Sequence, residues 1–351
     1  MFLNQFKIGK TLVGEGQPAY IIAEIGANFN GSIDQAKKLC DAAKEAGANC
    51  AKFQSFVSEK IVSAVGFSKM NLKGVHGTWD KTVSEVFKEV EFPREWHKEI
   101  KDYCDEIRID FSTSPYDFDA VDLCEKLNLP FIKIGSGEIT WHEMIEYIAT
   151  KNMPIIMATG DATLSEVDEA VNIIRNCNNN KLILLQCITN YPSKIESANI
   201  KVLNTYKSAF NVPAGYSDHS HGDLVVLGSI ALGGCVVEKH FTINKNDKGP
   251  DHPHSLDVKE FSNMVKNIRL MEKALGSSKK DIVEEESETV FVQRRGLYAA
   301  SDINLGEIIT EDKIEVLRPA LGILPKYKKV IIGKKSKIDI KKGEPIYWDN
   351  F

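Results

Sequence analysis

The sequence predicts a (β/α)8 TIM barrel followed by a small, mostly β domain. Eight short apolar runs alternate with amphipathic stretches up to about residue 275, which is the rhythm of parallel strands joined by crossover helices. A polar, strongly charged segment follows, and beyond it come short β-like pieces separated by turns. We therefore expect a barrel domain over residues 1–280, a linker over 281–290 and a second domain over 291–351.

The barrel prediction depends on the alternation of strand-like and helix-like segments. The predicted strands cover residues 19–26, 49–55, 109–114, 130–136, 154–160, 182–187, 213–218 and 236–242. The stretch after the first strand, residues 32–47, has helical periodicity, with an apolar face and a glycine that stops the helix. That face consists of Ala36, Leu39, Cys40 and Ala43, and the glycine is Gly47.

Two segments depart from this rhythm. Residues 56–91 contain Gly66, Gly74 and Gly77 and predict an elaborated loop over the barrel mouth, where such loops usually set substrate specificity. In the C-terminal segment, the turns DINLGE and DIKKGE place glycine just before glutamate and predict a pseudo-repetitive β domain. A domain of about 60 residues is marginally stable alone, so we expect it to dock against another surface.

Composition excludes several classes of protein. The 351 residues include 44 basic and 49 acidic side chains, giving a net charge of -5, which argues against a nucleic-acid surface. We find neither a membrane-length apolar run nor a secretory N-terminus and expect a cytoplasmic protein. The seven cysteines are odd in number and scattered, which favours reduced core residues over disulfides or a cysteine metal site.

Ionisable residues stand at the ends of several predicted strands. Such groups are costly in apolar runs unless a site uses them, and in a barrel the carboxyl ends of the strands carry the active site. Strand parity also places Lys52 with Gln54, Ser217 with His219, and Glu238 with His240 on common faces. We expect one pocket that contains Glu24, Lys52, Lys133, Glu138, His219 and His240.

Two histidines are the candidate metal ligands. His219 and His240 follow adjacent strands, each beside a carboxylate, and can share one ion with positions left for water and substrate. A structural role for buried histidines is the alternative. We expect the other nearby histidines to be loop residues, with a smaller chance that one approaches the site: His221, His252 and His254.

Lys52 and Lys133 offer two positive charges to an anion such as phosphate or a carboxylate. Strand-end hydroxyls could assist them, from Thr113, Ser136, Thr159, Thr189 and Ser217. The alternative is that the lysines extend to solvent or pair with acids. Glu24 and Glu138 could hold a proton or bind sugar hydroxyls, and a structural ion pair with a lysine is the competing interpretation for each.

The sequence resembles the sialic acid synthase family, which condenses phosphoenolpyruvate with an N-acetylated hexosamine to give a nine-carbon 2-keto acid and phosphate. The matching segments are AEIGANFNGS, KFQSF, STSPYD, KIGSGE, TNYPS, GYSDHS, EKHFT with GPDH, and LRPALGI, in that order. They extend over most of the chain. The tail resembles the family's antifreeze-like C-terminal (SAF) domain.

The resemblance implies a role for each matching position. His219 and His240 would bind a divalent ion, manganese or magnesium, and Glu138 would act as acid and base. The phosphate and carboxylate of phosphoenolpyruvate would contact Lys52, Thr113, Lys133, Ser136, Thr189 and Ser217. The amino sugar would contact Glu24, Gln54, Tyr191 and Asp251. In a homodimer with exchanged tails, Arg318 would bind the N-acetyl group of the sugar in the partner's barrel.

Three departures from the family pattern concern substrate contacts. They are Phe29 within Asn28-Phe29-Asn30-Gly31, Ala158 and Gln186. The acceptor therefore stays open between N-acetylmannosamine and a 2,4-diacetamido-6-deoxyhexose, although residues 248–252 look more like the neuraminate and legionaminate branches than the pseudaminate one. The alternatives are a pseudaminic acid synthase, another metal-dependent barrel aldolase or condensing enzyme, and a carbohydrate-binding protein that uses the tail.

Overall fold

The eight predicted strands form one parallel sheet, in the order Asp110–Pro115, Cys50–Ser55, Tyr20–Glu24, Val236–His240, Ala214–Asp218, Leu182–Cys187, Ile155–Ala158 and Ile132–Ile134. The computed structural model describes residues 1–71, 77 and 79–351, and divides into two compact units, Met1–Gly276 and Ser277–Phe351. The two outermost strands of the order also pack against each other, and the Ser112 hydroxyl bridges them by donating to the carbonyl of Phe131 (2.8 Å). The barrel prediction is therefore confirmed.

The strands are β1 (Gln5–Ile8), β2 (Thr11–Gly14), β3 (Tyr20–Glu24), β4 (Cys50–Ser55), β5 (Asp110–Pro115), β6 (Ile132–Ile134), β7 (Ile155–Ala158), β8 (Leu182–Cys187), β9 (Ala214–Asp218), β10 (Val236–His240), β11 (Gly296–Ala299) and β12 (Ile314–Leu317). The helices are α1 (Ile33–Glu45), α2 (Ser58–Ile61), α3 (Ala64–Ser68), α4 (Val83–Glu89), α5 (Trp96–Ile107), α6 (Phe118–Lys126), α7 (His142–Thr150), α8 (Leu164–Asn176), α9 (Val202–Phe210), α10 (Leu224–Ala231), α11 (Val258–Leu275), α12 (Ser287–Gln293) and α13 (Lys328–Ile331).

Along a barrel strand, the inward-facing side chains are apolar near the amino end and ionisable near the carboxyl end. On β10, Val236 belongs to the apolar core inside the barrel, whereas Glu238 and His240 line a cavity at the carboxyl end. On β4, Cys50 belongs to that core and Lys52 lines the cavity. Because inward positions recur every second residue, the same strands supply both the core and the site.

An N-terminal hairpin, β1 and β2, packs against this inner core and was not predicted. Phe6, Ile8 and Val13 join the same apolar cluster as Val236. The strands pair antiparallel around a two-residue loop that begins at Gly9, whose positive φ of 56° suits glycine. The alternating apolar residues of this segment carried the signal for the hairpin.

The helices cover the outside of the barrel through their apolar faces. Helix α1 starts at Ser32, whose side chain accepts a hydrogen bond from the backbone N–H of Gln35, and ends before Gly47 in the left-handed region. Its buried residues are the predicted ones, Ala36, Leu39, Cys40 and Ala43.

The segment after β4 contributes helices α2, α3 and α4 and lines the mouth of the barrel. Its described part agrees with the predicted elaborated loop. Residues 72–76, which include Gly74, and residue 78 lie outside the described part of the chain.

The second unit has its own apolar core, centred on the antiparallel pair β11–β12. The two predicted turns pair with each other. Ile303 of the first turn and Ile340 of the second exchange backbone hydrogen bonds (2.9 and 2.8 Å). In each turn a glutamate, Glu307 or Glu344, accepts from a backbone N–H three residues earlier. The predicted linker contains part of α12, and the domain boundaries stay a prediction.

All seven cysteines are free, and six of them are buried, as expected for reduced core residues. Within the described residues, none of the helices combines the length and apolar character needed to cross a membrane.

Candidate active site

A cavity of about 290 Å³ opens at the carboxyl ends of the barrel strands. Concave sites of this kind, with a few convergent polar groups, are typical of small-molecule binding. Twelve of the predicted site residues line it: Glu24, Lys52, Gln54, Lys133, Ser136, Glu138, Thr189, Tyr191, Ser217, His219, His240 and Asp251.

The floor of the cavity is a buried network of two lysines and two glutamates. The Lys52 Nζ atom lies 2.5 Å from Glu24 Oε2 and 3.7 Å from Glu238 Oε2. Lys133 Nζ lies 3.4 Å from Glu238 Oε1, which also accepts a hydrogen bond from the Ser217 hydroxyl (2.9 Å). The lysines thus do pair with acids, as the alternative interpretation held, but they do so inside the cavity and not at its rim.

This environment shifts the ionisation of the network. Burial raises the pKa of Glu24 to about 7, although Lys52 opposes the shift. Burial acts on Glu238 in the same direction, but Lys133 and Lys52 outweigh it and lower the pKa of that carboxyl. The two lysines therefore favour the ionised form of Glu238, whereas Glu24 can exchange a proton near neutral pH, and the two ammonium groups are placed to attract an anionic ligand.

Glu138 lies across the cavity, just after β6. Its burial raises the pKa of the carboxyl to about 6, with Lys133 opposing the shift. A Cβ atom on Gly135 would lie only 2.4 Å from Glu138 Oε2, so glycine at this position makes room for the carboxylate. A group with a pKa this close to neutrality can exchange a proton with a substrate.

We expect Glu138→Gln to stabilise the barrel at neutral pH. The pKa of the Glu138 carboxyl is 4.5 when unperturbed and about 6 in the folded chain. The folded chain therefore holds the ionised form less well than the unfolded chain does, so the carboxyl destabilises the fold progressively as pH rises from 4.5 to 6. The full effect, up to about 2 kcal/mol, persists above that range. Melting temperatures should diverge between variant and parent at pH 8 and converge at pH 4.5. An equal difference in melting temperature at both pH values would contradict this prediction. Glu196→Gln, which changes an exposed glutamate, serves as the control.

Three imidazoles meet at the other side of the cavity. His219 Nδ1 donates to the carbonyl of Ile188 (2.7 Å), which leaves Nε2 unprotonated. Burial lowers the pKa of His219 to about 4 and that of His240 well below its usual value. The Tyr191 ring packs among them, with centroid distances of 4.1 Å to His219, 5.8 Å to His240 and 5.0 Å to His254.

The compact group of possible metal ligands in the described chain consists of His240, Asp251 and His254, whose ligand atoms all lie within 4.8 Å of one another. His254 was expected in a loop, and it does approach the site. The predicted ligand His219 is not part of this group, although its ring centroid lies 5.5 Å from that of His240. Asp218, the carboxylate beside His219 in the sequence, points to the opposite face of β9, where it pairs with Lys239 (2.6 Å).

Two predicted hydroxyls do not line the cavity. Thr113 points away because strand residues alternate, and it donates to Ser55 (3.0 Å); its neighbour Ser114 lies in the cavity, 3.2 Å from Lys52 Nζ. Thr159 bonds the carbonyl of Leu185 (2.9 Å) and the Tyr206 hydroxyl (2.8 Å) behind the strand. The cavity lining therefore does not include these two hydroxyls, and their function in binding stays a prediction.

Of the three departures from the family pattern, Ala158 alone lines the cavity. Phe29 packs edge-on against Phe92 in the outer core (5.2 Å between centroids). Gln186 donates to the carbonyl of Ala198 (3.4 Å) and accepts from Tyr206 (3.2 Å). Ala158 can therefore contact a ligand. Phe29 acts through packing, and Gln186 acts through its hydrogen bonds.

The segment after β4 gives the cavity an apolar wall, which the sequence did not resolve in detail. All the described side chains that it contributes are apolar or aromatic: Phe56, Ile61, Trp79, Val86, Phe87 and Val90. The cavity therefore offers apolar contact to the part of a ligand that lies against this wall.

Glu238 and His254 are the main residues that the site assignment missed. Parity with His240 placed Glu238 in the pocket, but its function as the shared partner of both lysines needs the neighbouring strands. His254 stands three residues after Asp251, on a 3-10 turn that brings it back to the site. Arg318 belongs to the second unit and is exposed; its function across a dimer stays a prediction.

Comparison with known proteins identifies related chains. The NeuB family profile matches residues 39–280 and the SAF domain profile residues 294–351. N,N'-diacetyllegionaminic acid synthase of Campylobacter jejuni is 37% identical over 93% of this chain and 98% of its own. Pseudaminic acid synthase of Helicobacter pylori is 36% identical over 95% and 98%. The structure of N-acetylneuraminic acid synthetase from Leptospira borgpetersenii, in complex with citrate, superposes with a TM-score of 0.73 at 29% identity, over 82% of this chain and 95% of the other.

Proposed function

The chain belongs to the NeuB family and ends in a SAF domain, and from this premise we propose that it is a nonulosonic acid synthase. In the proposed reaction, phosphoenolpyruvate, an N-acetylated hexosamine and water give a nine-carbon 2-keto acid and phosphate. The observation that carries the proposal is the buried Lys52–Glu238–Lys133 network beside the group of His240, Asp251 and His254.

Phosphoenolpyruvate would bind through its phosphate and carboxylate at the lysine side of the cavity. Lys52 and Lys133 are 2% and 3% exposed, so their charges act on a ligand in a medium that screens them weakly. Ser136 and Ser217 add hydroxyls. Thr189 Oγ1 is buried without a hydrogen-bond partner among the described residues, which suits a hydroxyl that waits for a ligand.

The acceptor sugar would lie between Glu24, Gln54 and Asp251 and the apolar wall. Gln54 donates to Glu24 Oε1 (2.7 Å) and fixes that carboxyl for hydroxyl contacts. After the enol carbon attacks the aldehyde carbon, water adds at the cationic centre and phosphate leaves. Glu138 would take the proton from water and return it as the tetrahedral intermediate collapses.

A divalent ion fits the imidazole side of the cavity. His240 Nδ1 and His254 Nε2 are both buried without a hydrogen-bond partner in the described part of the chain, and His219 has a free Nε2. We assign the metal to His219 and His240, and manganese or magnesium is the expected ion. When bound, the ion would act as a Lewis acid on the sugar aldehyde.

The apolar wall favours a 2,4-diacetamido-6-deoxyhexose over N-acetylmannosamine as acceptor. The first sugar presents a methyl group at C6 and a second acetyl methyl, whereas the second presents hydroxyls at those positions. Burying an unpaired hydroxyl against Phe56, Ile61 and Phe87 costs about 1–3 kcal/mol. The expected preference in kcat/KM is therefore about tenfold or more.

The decisive experiment measures phosphate release from phosphoenolpyruvate with manganese and each sugar of the panel, and identifies the product by mass. We expect release that depends on the diacetamido sugar and stops when EDTA removes the metal. Release with no sugar of the panel would overturn the proposed function.

A matched pair of variants tests the wall itself. Val86→Thr adds a hydroxyl to the wall at nearly constant volume and should narrow the preference between the two sugars. Val65→Thr lies in the same segment, but its side chain is 66% exposed and outside the cavity, so it should leave the preference unchanged.

The alternatives make different predictions in the same assay. A pseudaminic acid synthase would use the stereoisomeric diacetamido sugar and give a product that is separable by chromatography. A carbohydrate-binding protein that uses the tail would bind sugar without releasing phosphate.

We further propose a homodimer with exchanged tails, in which Arg318 binds the N-acetyl group of the sugar. Sedimentation that shows only monomers at assay concentration would exclude this dimer.

A further inference from the structure

The turn after β10 brings a third imidazole to the two assigned above. Its ligand atom, His254 Nε2, lies 3.9 Å from Asp251 Oδ1, and His240 Nδ1 lies 3.9 Å from Asp251 Oδ2. Ligand atoms about 2.1 Å from a common ion are about 3.0–4.2 Å apart, so both separations match shared coordination. Both are too long for direct hydrogen bonds.

The side chain of His254 is buried, but one of its ring nitrogens has no partner in the described part of the chain. It is 7% exposed, and its Nε2 has no hydrogen-bond partner among the described residues, as is also true of His240 Nδ1. An unpaired buried polar atom costs about 1–3 kcal/mol. Two of them aimed at one carboxylate indicate a ligand that pairs with both nitrogens.

The neighbouring His252 differs from His254, because both of its ring nitrogens have partners. Its Nδ1 atom contacts the Thr242 hydroxyl (2.7 Å) and its Nε2 atom contacts Asn30 Oδ1 (2.9 Å), so both nitrogens are used. These contacts hold the 3-10 turn that carries His254. His252 is thus a positioning residue, and His254 keeps a free nitrogen.

The carboxylate is held just as firmly. Asp251 Oδ2 accepts from the backbone N–H of Ala27 (2.9 Å), and the Asp251 carbonyl accepts from the Ser255 hydroxyl (2.7 Å). Gly26, at φ 53°, leaves the space for it, because a Cβ there would lie 2.4 Å from Asp251 Oδ2 and 3.5 Å from His240 Cε1. The group is therefore preorganised for an ion.

We propose that His254 is a third imidazole ligand of the metal, with Asp251 as the carboxylate, so that this chain selects a transition ion over Mg²⁺. This inference rests on the proposed function for the location of the metal, and adds to its two histidines. Imidazole ligands suit Fe²⁺, Co²⁺ and Zn²⁺, whereas Mg²⁺ prefers carboxylate and water oxygens. Asp251 then acts on the metal and not only on the sugar.

The test measures metal binding by the full chain without substrate, so that it does not depend on turnover. Calorimetric titration of the metal-free protein should give one Co²⁺ site, bound about 100-fold or more tightly than Mg²⁺. His254→Gln should weaken Co²⁺ binding about 100-fold and shift the visible Co²⁺ spectrum, with little change in Mg²⁺ binding. The control His142→Ala removes an exposed histidine whose partner is Glu169, and should change neither.

A second measurement on the unchanged protein covers the case in which the variant does not fold. Electron–nuclear double resonance on the Mn²⁺ form with ¹⁵N-labelled histidine should count three coordinated imidazoles. A count of two, or unchanged Co²⁺ affinity and spectrum in a folded His254→Gln protein, would overturn the proposal. Tight Co²⁺ binding without phosphate release would instead leave this proposal standing and reject the proposed reaction.

Discussion

Replacing Lys52 with methionine should lower the free energy of unfolding by about 3–5 kcal/mol and abolish turnover. Lys52 is fully buried, 2.5 Å from Glu24 and 3.7 Å from Glu238. Methionine has similar length but no charge, so Glu24 and Glu238 both lose a nearby cation in the barrel. Chemical denaturation at pH 7.5 measures the loss.

A double variant separates charge from packing. Lys52→Met combined with Glu24→Gln removes one cation together with the acid it contacts most closely, so it should recover part of the lost stability but none of the activity. Lys98→Met, in an exposed pair with Asp102, should change stability little, since such pairs contribute little. If Lys52→Met matched the parent in unfolding free energy, the buried network would not have the function that we give it.

Lys133→Met should reduce kcat/KM for phosphoenolpyruvate about 10³-fold while the barrel stays folded. Lys133 contacts Glu238 at 3.4 Å and the carbonyl of Ile134 at 3.3 Å. Loss of Lys133 leaves Glu24 paired with Lys52, whereas loss of Lys52 removes a cation from both Glu24 and Glu238, so we expect a smaller stability loss than for Lys52. What disappears is the second charge that faces the anion.

The measurement is steady-state phosphate release at saturating sugar, with circular dichroism to verify the fold. Lys60→Met removes a half-exposed lysine that pairs with Asp119, and it should retain parental kinetics. Normal turnover by Lys133→Met would show that phosphoenolpyruvate does not bind where we place it, and the enzymatic assignment of this cavity would be wrong.

Much of the site could be predicted because strands obey a strict alternation. Once Lys52 was placed inward, Gln54 had to share its face, and the same holds for Glu238 and His240. Thr113 was proposed as a strand-end hydroxyl, but its neighbour Ser114 faces the cavity instead. A one-residue error reverses the face of a side chain.

By itself, the sequence determined the barrel, the order of its strands along the chain and the ionisable residues at their ends, because periodicity and turn chemistry are local properties. Only the tertiary structure decided that Glu238 joins both lysines and that the turn after β10 returns His254 to the imidazoles. It also made the segment after β4 an apolar wall. These contacts join residues far apart in the chain, and their distances depend on barrel closure and on hydrogen bonds that hold each loop, which no local pattern specifies.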